Sequence, residues 1–129
     1  MKKACFLLCI PSYQVLIGVA GHIERNGSLV FLTGDHRVHY GLQSKGFTDI
    51  FLLDGQETYI DLGEELEKIV LIEDSLADTC SLLKIVRASS KAPIIVITKN
   101  KQYPLNLYQS IGAKQVIYTN SNNVSFLIH

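Results

Sequence analysis

Six short apolar runs, Ala4 to Ile10, Leu29 to Thr33, Asp49 to Leu53, Ile69 to Ile72, Pro93 to Thr98 and Gln115 to Thr119, recur with a segment of helical length between each pair, and this alternation constrains the chain more than any other feature. Strands that alternate with helices pair in parallel, because a chain returning to the same end of a sheet needs a crossover of that size. The runs Ile69-Val70-Leu71-Ile72 and Ile94-Ile95-Val96-Ile97 are apolar at every position, as strands covered on both faces must be, and read as central. The mixed Gln115-Val116-Ile117-Tyr118 reads as an edge. A doubly wound sheet of this kind gathers its ligands where the strands end, so the pattern says where to search.

A chain of 129 residues makes one domain, 1–129, and can bury about two thirds of its unfolded surface. Twelve basic side chains balance twelve acidic ones, so the positive footprint selected by phosphate backbones or anionic lipid is missing, and nucleic acid is not anticipated as a partner. No apolar stretch approaches the ~20 residues that cross a bilayer, so direct membrane insertion is not anticipated either. Met1-Lys2-Lys3 ahead of an apolar run looks like the start of a secretory signal, but Pro11 follows without a small-residue cleavage site, and the run is read as the first strand. Cys5 and Cys9 share one face of that strand about 13 Å apart, too far for a disulfide. With Cys80 in a helical segment, the thiols point to a reducing, cytoplasmic compartment.

Helix punctuation agrees with the strand pattern. Ser12 caps a first helix whose Leu16, Val19 and Ile23 repeat at core spacing and which stops at Asn26-Gly27. Asp35 opens a short second helix through Val38 and Leu42 that ends at Gly46, and Asp61 to Glu67 reads as a third, acidic one. Asp74 or Ser75 caps a fourth, with Leu76, Thr79, Leu83 and Val86 on one face, which runs out at Ser89-Ser90. Asn100 caps a fifth that carries Leu105 and Tyr108 inward and closes at Gly112. Beyond the polar turn Asn120 to Asn123, Val124 to Ile128 starts a last helix or docks as extended chain.

The residues that could carry binding chemistry lie at the strand ends. They are Ile10, Pro11, Ser12 and Tyr13 after the first strand, Asp35 and His36 after the second, Asp54 and Gly55 after the third, and Glu73, Asp74 and Ser75 after the fourth. Each has a structural reading beside the functional one. Asp35 can hold a ligand hydroxyl or cap the helix at His36; Asp54-Gly55 can reach the crevice or form a turn. Glu73 and Asp74 can coordinate a divalent ion through oxygen, or Asp74 caps the fourth helix while Glu73 faces solvent. His36 and His39, three apart, have a spacing compatible with a shared metal but lack a third ligand nearby, and read as surface histidines. The acids Glu57, Asp61, Glu64, Glu65 and Glu67 can attract a cation or form a solvated face. There is no nucleophile elbow, no His-Glu-x-x-His pair and no phosphate loop, so the sequence reads as non-catalytic.

Two stretches carry a family resemblance: Leu42-Gln43-Ser44-Lys45-Gly46 leading into Leu52-Leu53-Asp54-Gly55, and Leu107-Tyr108-Gln109-Ser110-Ile111-Gly112-Ala113-Lys114-Gln115-Val116-Ile117. With the order of elements around them, from Ala4 to about Ile128, the chain resembles the amino-terminal lobe of RCK domains, the TrkA-N-type regulators of potassium channels and transporters. The resemblance implies a Rossmann-like three-layer sandwich with a six-stranded parallel sheet in the order 3-2-1-4-5-6. It also implies adenine nucleotide or NAD(H) as ligand, with Asp35 at the ribose hydroxyls, and service to a potassium channel or transporter subunit at the inner face of the membrane. Assembly as a homodimer or a ring of dimers through the fourth and fifth helices is implied too, with Leu82, Ile85, Leu107 and Ile111 as contacts. The family continues past the point matching Ile128 into a crossover helix and second lobe, so the resemblance implies a truncated or minimal version. One departure bears on the ligand. Where the family's glycine fingerprint should follow the first strand, this chain has Cys9-Ile10-Pro11-Ser12-Tyr13-Gln14, and no glycine occurs before Gly18.

A second resemblance comes from Leu83 to Ser90 followed by Ile94-Ile95-Val96-Ile97-Thr98, which is similar to the stretch through the fourth strand of response-regulator receivers, with Thr98 at the switch threonine. In that register Glu73 replaces the phosphorylated aspartate, Thr33-Gly34 the acidic pair and Thr119 the lysine, which implies a docking module without phosphotransfer. It leaves Met1 to Gly27 without a place, because receivers have five strands.

Overall fold

The computed structural model describes residues 5–23, 29–62, 66–100 and 105–120. Its strands are β1 (Phe6–Cys9), β2 (Leu29–Thr33), β3 (Ile50–Leu52), β4 (Lys68–Ile72), β5 (Ile94–Thr98) and β6 (Gln115–Tyr118). They form one all-parallel sheet in the order β3-β2-β1-β4-β5-β6. β1 lies mid-sheet, with Phe6 opposite both Leu29 of β2 and Lys68 of β4. Winding therefore runs outward from β1 to one edge, crosses back, and runs from β4 to the other edge, which puts the reversal between β1 and β4.

Side chains alternate across the sheet and sort the helices onto two faces. Phe6, Leu8 and Ile10 pack with Leu16 and Val19 of α1 (Tyr13–Val19) and with Val38 and Leu42 of α2 (His36–Ser44). Leu7 and Cys9 pack on the other face with Leu82, Leu83 and Val86 of α3 (Leu76–Ser89) and Tyr108 of α4 (Leu105–Ile111). Burial on both sides explains why Ile69–Ile72 of β4 and Ile94–Ile97 of β5 are apolar at every position, and burial pushes the Cys9 thiol far up from its ordinary pKa, leaving it an inert core group. All three cysteines are free. No described helix is long and apolar enough to cross a membrane.

The elements differ from the sequence expectation in three places. The first helix ends at Val19 and passes into a 3-10 turn, Ala20–His22, with Ile23 beyond it packed only against the core margin. Gly18 and Gly21, with three β-branched residues before them, weaken the helix. Asn26-Gly27 lies outside the described residues. In the acidic segment Gly63, Glu64 and Glu65 also lie outside them, and the flanking Asp61, Leu62, Leu66 and Glu67 are not helical. That stretch is the crossing from β3 to β4. Its Ile60, Leu62 and Leu66 pack on the α3 face, and the Ile60 amide donates to Ser89 Oγ at 2.8 Å. In α4, Tyr108 is fully buried as expected, but Leu105 is 56% exposed. The chain from Ser121 onward lies outside the described residues.

Candidate functional site

Ile10 continues β1 and donates its amide to Leu32 O at 3.0 Å, entirely buried, so it is a core residue and not a ligand contact. The chain then turns at Pro11, and Ser12 caps α1 by accepting the Val15 amide at 3.3 Å. Tyr13, the first residue of α1, donates its amide to Asp35 Oδ2 at 3.2 Å.

Asp35 also caps α2. Its Oδ1 accepts the Arg37 amide at 2.8 Å, and its Oδ2 meets the Arg37 guanidinium at 3.2 Å. That guanidinium lies 5.5 Å above the Tyr13 ring, closing a small knot between the starts of α1 and α2. Partial burial pushes the Asp35 carboxyl up, but the bonds from the Arg37 side chain and the amides of Arg37 and Tyr13 outweigh it and hold the group below the ordinary aspartate range. A carboxyl whose pKa is lower folded than unfolded adds stability above its unfolded value, and loses it as pH falls through the folded one. The stability gap between the native chain and Asp35→Asn is therefore expected to be constant above about pH 5 and to shrink below about pH 4. Denaturant melts across that range measure it, and a gap independent of pH would contradict the assignment.

After β3 the chain makes the turn anticipated at Asp54-Gly55. Gly55 takes φ +93°, and Asp54 Oδ1 accepts the Gln56 amide at 2.8 Å. Glu57 closes the turn from the other side, accepting the Asp54 amide at 3.0 Å and that of Gly55 at 3.1 Å. Those bonds, that of Asp54 first, hold its carboxyl below the ordinary range.

These strand ends frame an open cleft of about 860 Å³. Pro11, Gly34 and His36 bound it from the ends of β1 and β2, and Leu53 to Gly55 with Glu57 and Thr58 from the end of β3. One face of α3, carrying Asp78, Ser81, Leu82, Lys84 and Ile85, forms the opposite wall. Of the residues nominated from sequence, Pro11, His36, Asp54 and Gly55 line this space, and Ser12, Tyr13 and Asp35 form the knot beside it. The α3 wall was missed, although its positions 78, 81, 82 and 85 repeat at helical spacing behind the Ser75 cap. Leu82, expected as an exposed assembly contact, is 6% exposed and belongs to the core and cleft floor.

Glu73, Asp74 and Ser75 do not join the cleft. Ser75, not Asp74, caps α3 by accepting the Asp78 amide at 3.2 Å, and Asp74 is exposed. Glu73 is half-buried, and its carboxylate is bonded within the protein. Its Oε1 accepts the Thr98 hydroxyl at 2.6 Å and its Oε2 accepts the Tyr108 hydroxyl, which ties the end of β4 to the end of β5 and to α4. Among the described residues no group of three or more His, Cys, Asp or Glu side chains is placed to hold a metal ion. Comparison with family models and with curated proteins finds no match to the chain.

Proposed function

We propose that this chain is a non-catalytic, ligand-responsive regulatory lobe of RCK type, serving a potassium channel or transporter through the occupancy of its strand-end cleft. The observation that carries the ligand-binding part is the 860 Å³ cleft at the carboxyl ends of β1, β2 and β3, beside the reversal of winding where such sheets collect ligands. The potassium part is carried by the resemblance of residues 42–55 and 107–117 alone. Regulation fits better than catalysis because the polar groups at the strand ends are spent on turns and caps: Asp54 and Glu57 hold amides, and Asp35 holds two helix starts. Assembly as a homodimer belongs to the same reading, with Ile85, Leu107 and Ile111 retaining partial exposure.

Thermal unfolding in the presence of nucleosides, adenine nucleotides, NAD(H) and divalent ions tests the binding part. One class is expected to raise the melting temperature, because a ligand held only by the folded state stabilises it by mass action; at a hundred times its Kd the gain is about 2.7 kcal/mol. No shift with any of them would overturn it. For the physiological part, a potassium pore or transporter encoded beside this chain supports the reading.

The degenerate-receiver reading keeps one observation in its favour, since Glu73 and Thr98, which its register makes acceptor and switch, are bonded at 2.6 Å. A five-stranded receiver still leaves one strand of this sheet over. A neighbouring histidine kinase gene would favour it.

A further inference from the structure

This inference rests on the cleft reading above and adds the chemical class of its ligand. In a doubly wound sheet an anionic ligand group is held where the first strand passes into the first helix, by backbone N–H groups that the helix start leaves open. Here that turn offers little. Pro11 has no N–H. The Tyr13 amide donates to Asp35 Oδ2 at 3.2 Å and the Val15 amide to Ser12 Oγ at 3.3 Å, so these two donors are consumed inside the protein. The partner of the Tyr13 amide is itself a carboxylate, and it sits between Gly34 and His36, both of which line the cleft. The turn thus already contains a carboxylate of its own, paired with the Arg37 guanidinium at 3.2 Å.

The cleft repeats that preference. Its charged lining is Asp54, Glu57 and Asp78 against Lys84, an acidic balance that repels a phosphate and favours a neutral or cationic group. Leu53, Leu82 and Ile85 add an apolar floor on which a flat ring can lie, and carboxylate oxygens accept hydrogen bonds from hydroxyls. We propose that the cleft takes an unphosphorylated, hydroxyl-bearing ligand of nucleoside size, and that Asp35 is the specificity-determining residue that excludes the phosphorylated counterpart.

Isothermal titration of the full chain with adenosine, guanosine, cytidine and uridine, and with their 5′-monophosphates, tests this. At least one nucleoside is expected to bind ten times or more tightly than its monophosphate. Asp35→Asn keeps an oxygen for the Arg37 amide but removes the charge, and is expected to cut that ratio severalfold while unfolding remains cooperative. A monophosphate that binds the native chain as tightly as its nucleoside overturns this inference and leaves the cleft reading standing. A ratio that survives Asp35→Asn overturns the role of Asp35. If no compound on the panel binds, the inference falls, and the cleft reading stands or falls with the melting shifts for NAD(H), adenine nucleotides and divalent ions.

Discussion

Replacing Tyr108 with alanine is expected to lower the melting temperature by roughly 15 °C, the largest effect of any single change considered, and Tyr108→Phe by roughly half as much. Tyr108 is fully buried against the face of the sheet that carries Leu7 and Cys9, and removing its ring forfeits about 4 kcal/mol, as for other buried aromatic truncations. At this chain length about 1 kcal/mol corresponds to roughly 4 °C. The phenylalanine variant keeps the ring and deletes only the hydroxyl that Glu73 accepts, a bond to a half-buried carboxylate worth about 2 kcal/mol. Calorimetry of both variants separates the ring from the hydrogen bond. A Tyr108→Phe melting point within a degree of the native one would show that Glu73 does not depend on the phenol. In the double variant with Glu73→Ala the two losses should not add, since both remove the same bond.

The second large effect belongs to Gly112, which follows α4 with φ +124°, a backbone conformation that side-chain-bearing residues rarely adopt. A Cβ placed there would lie 2.8 Å from Arg87 Cδ and 3.0 Å from Arg87 Cγ. Arg87 has little freedom to withdraw, because its guanidinium donates to the carbonyls of Ser90 and Ala92 and so closes the end of α3. Gly112→Ala is therefore expected to combine backbone strain with a clash and to cost about 3 kcal/mol, roughly 10 °C. Gly55→Ala is the internal control. Its φ is also positive, at +93°, but nothing lies within 4 Å of the added methyl, so only strain remains and the loss should be about 1 kcal/mol. Equal losses for the two variants would show that Arg87 yields and the clash carries no energy.

What could be read in the sequence is what local chemistry decides. Each strand appears near its anticipated position, the inner ones because helices cover both faces and their runs are accordingly apolar, and the caps at Ser12, Asp35 and Ser75 reach only two or three residues along the chain. The relationships that tie the strand ends together are longer. Asp35 meets an amide 22 residues away, and Glu73 meets Thr98 and Tyr108 across 25 and 35 residues, and no spacing rule connects them. In the crossing from β3 to β4 the dense acids suggest a helix, whereas the described Asp61, Leu62, Leu66 and Glu67 are not helical and Ile60, Leu62 and Leu66 pack against the core on the α3 face. Thr79 shows the opposite case. Periodicity places it correctly on the buried face of α3, yet its hydroxyl has no hydrogen-bond partner among the described residues, which no pattern of apolar spacing reveals.

The mid-sheet place of β1 bears on how the protein comes to exist in a cell. This segment leaves the ribosome ahead of every other strand, and its second hydrogen-bonding neighbour, Lys68–Ile72, is not yet synthesised when the first, Leu29–Thr33, becomes able to pair. Until then one flank of Phe6–Cys9 offers bare amides and carbonyls beside wholly apolar side chains, the kind of template that recruits foreign strands. Newly made chains thus carry an unpaired strand edge until translation has brought Lys68–Ile72 past the exit tunnel.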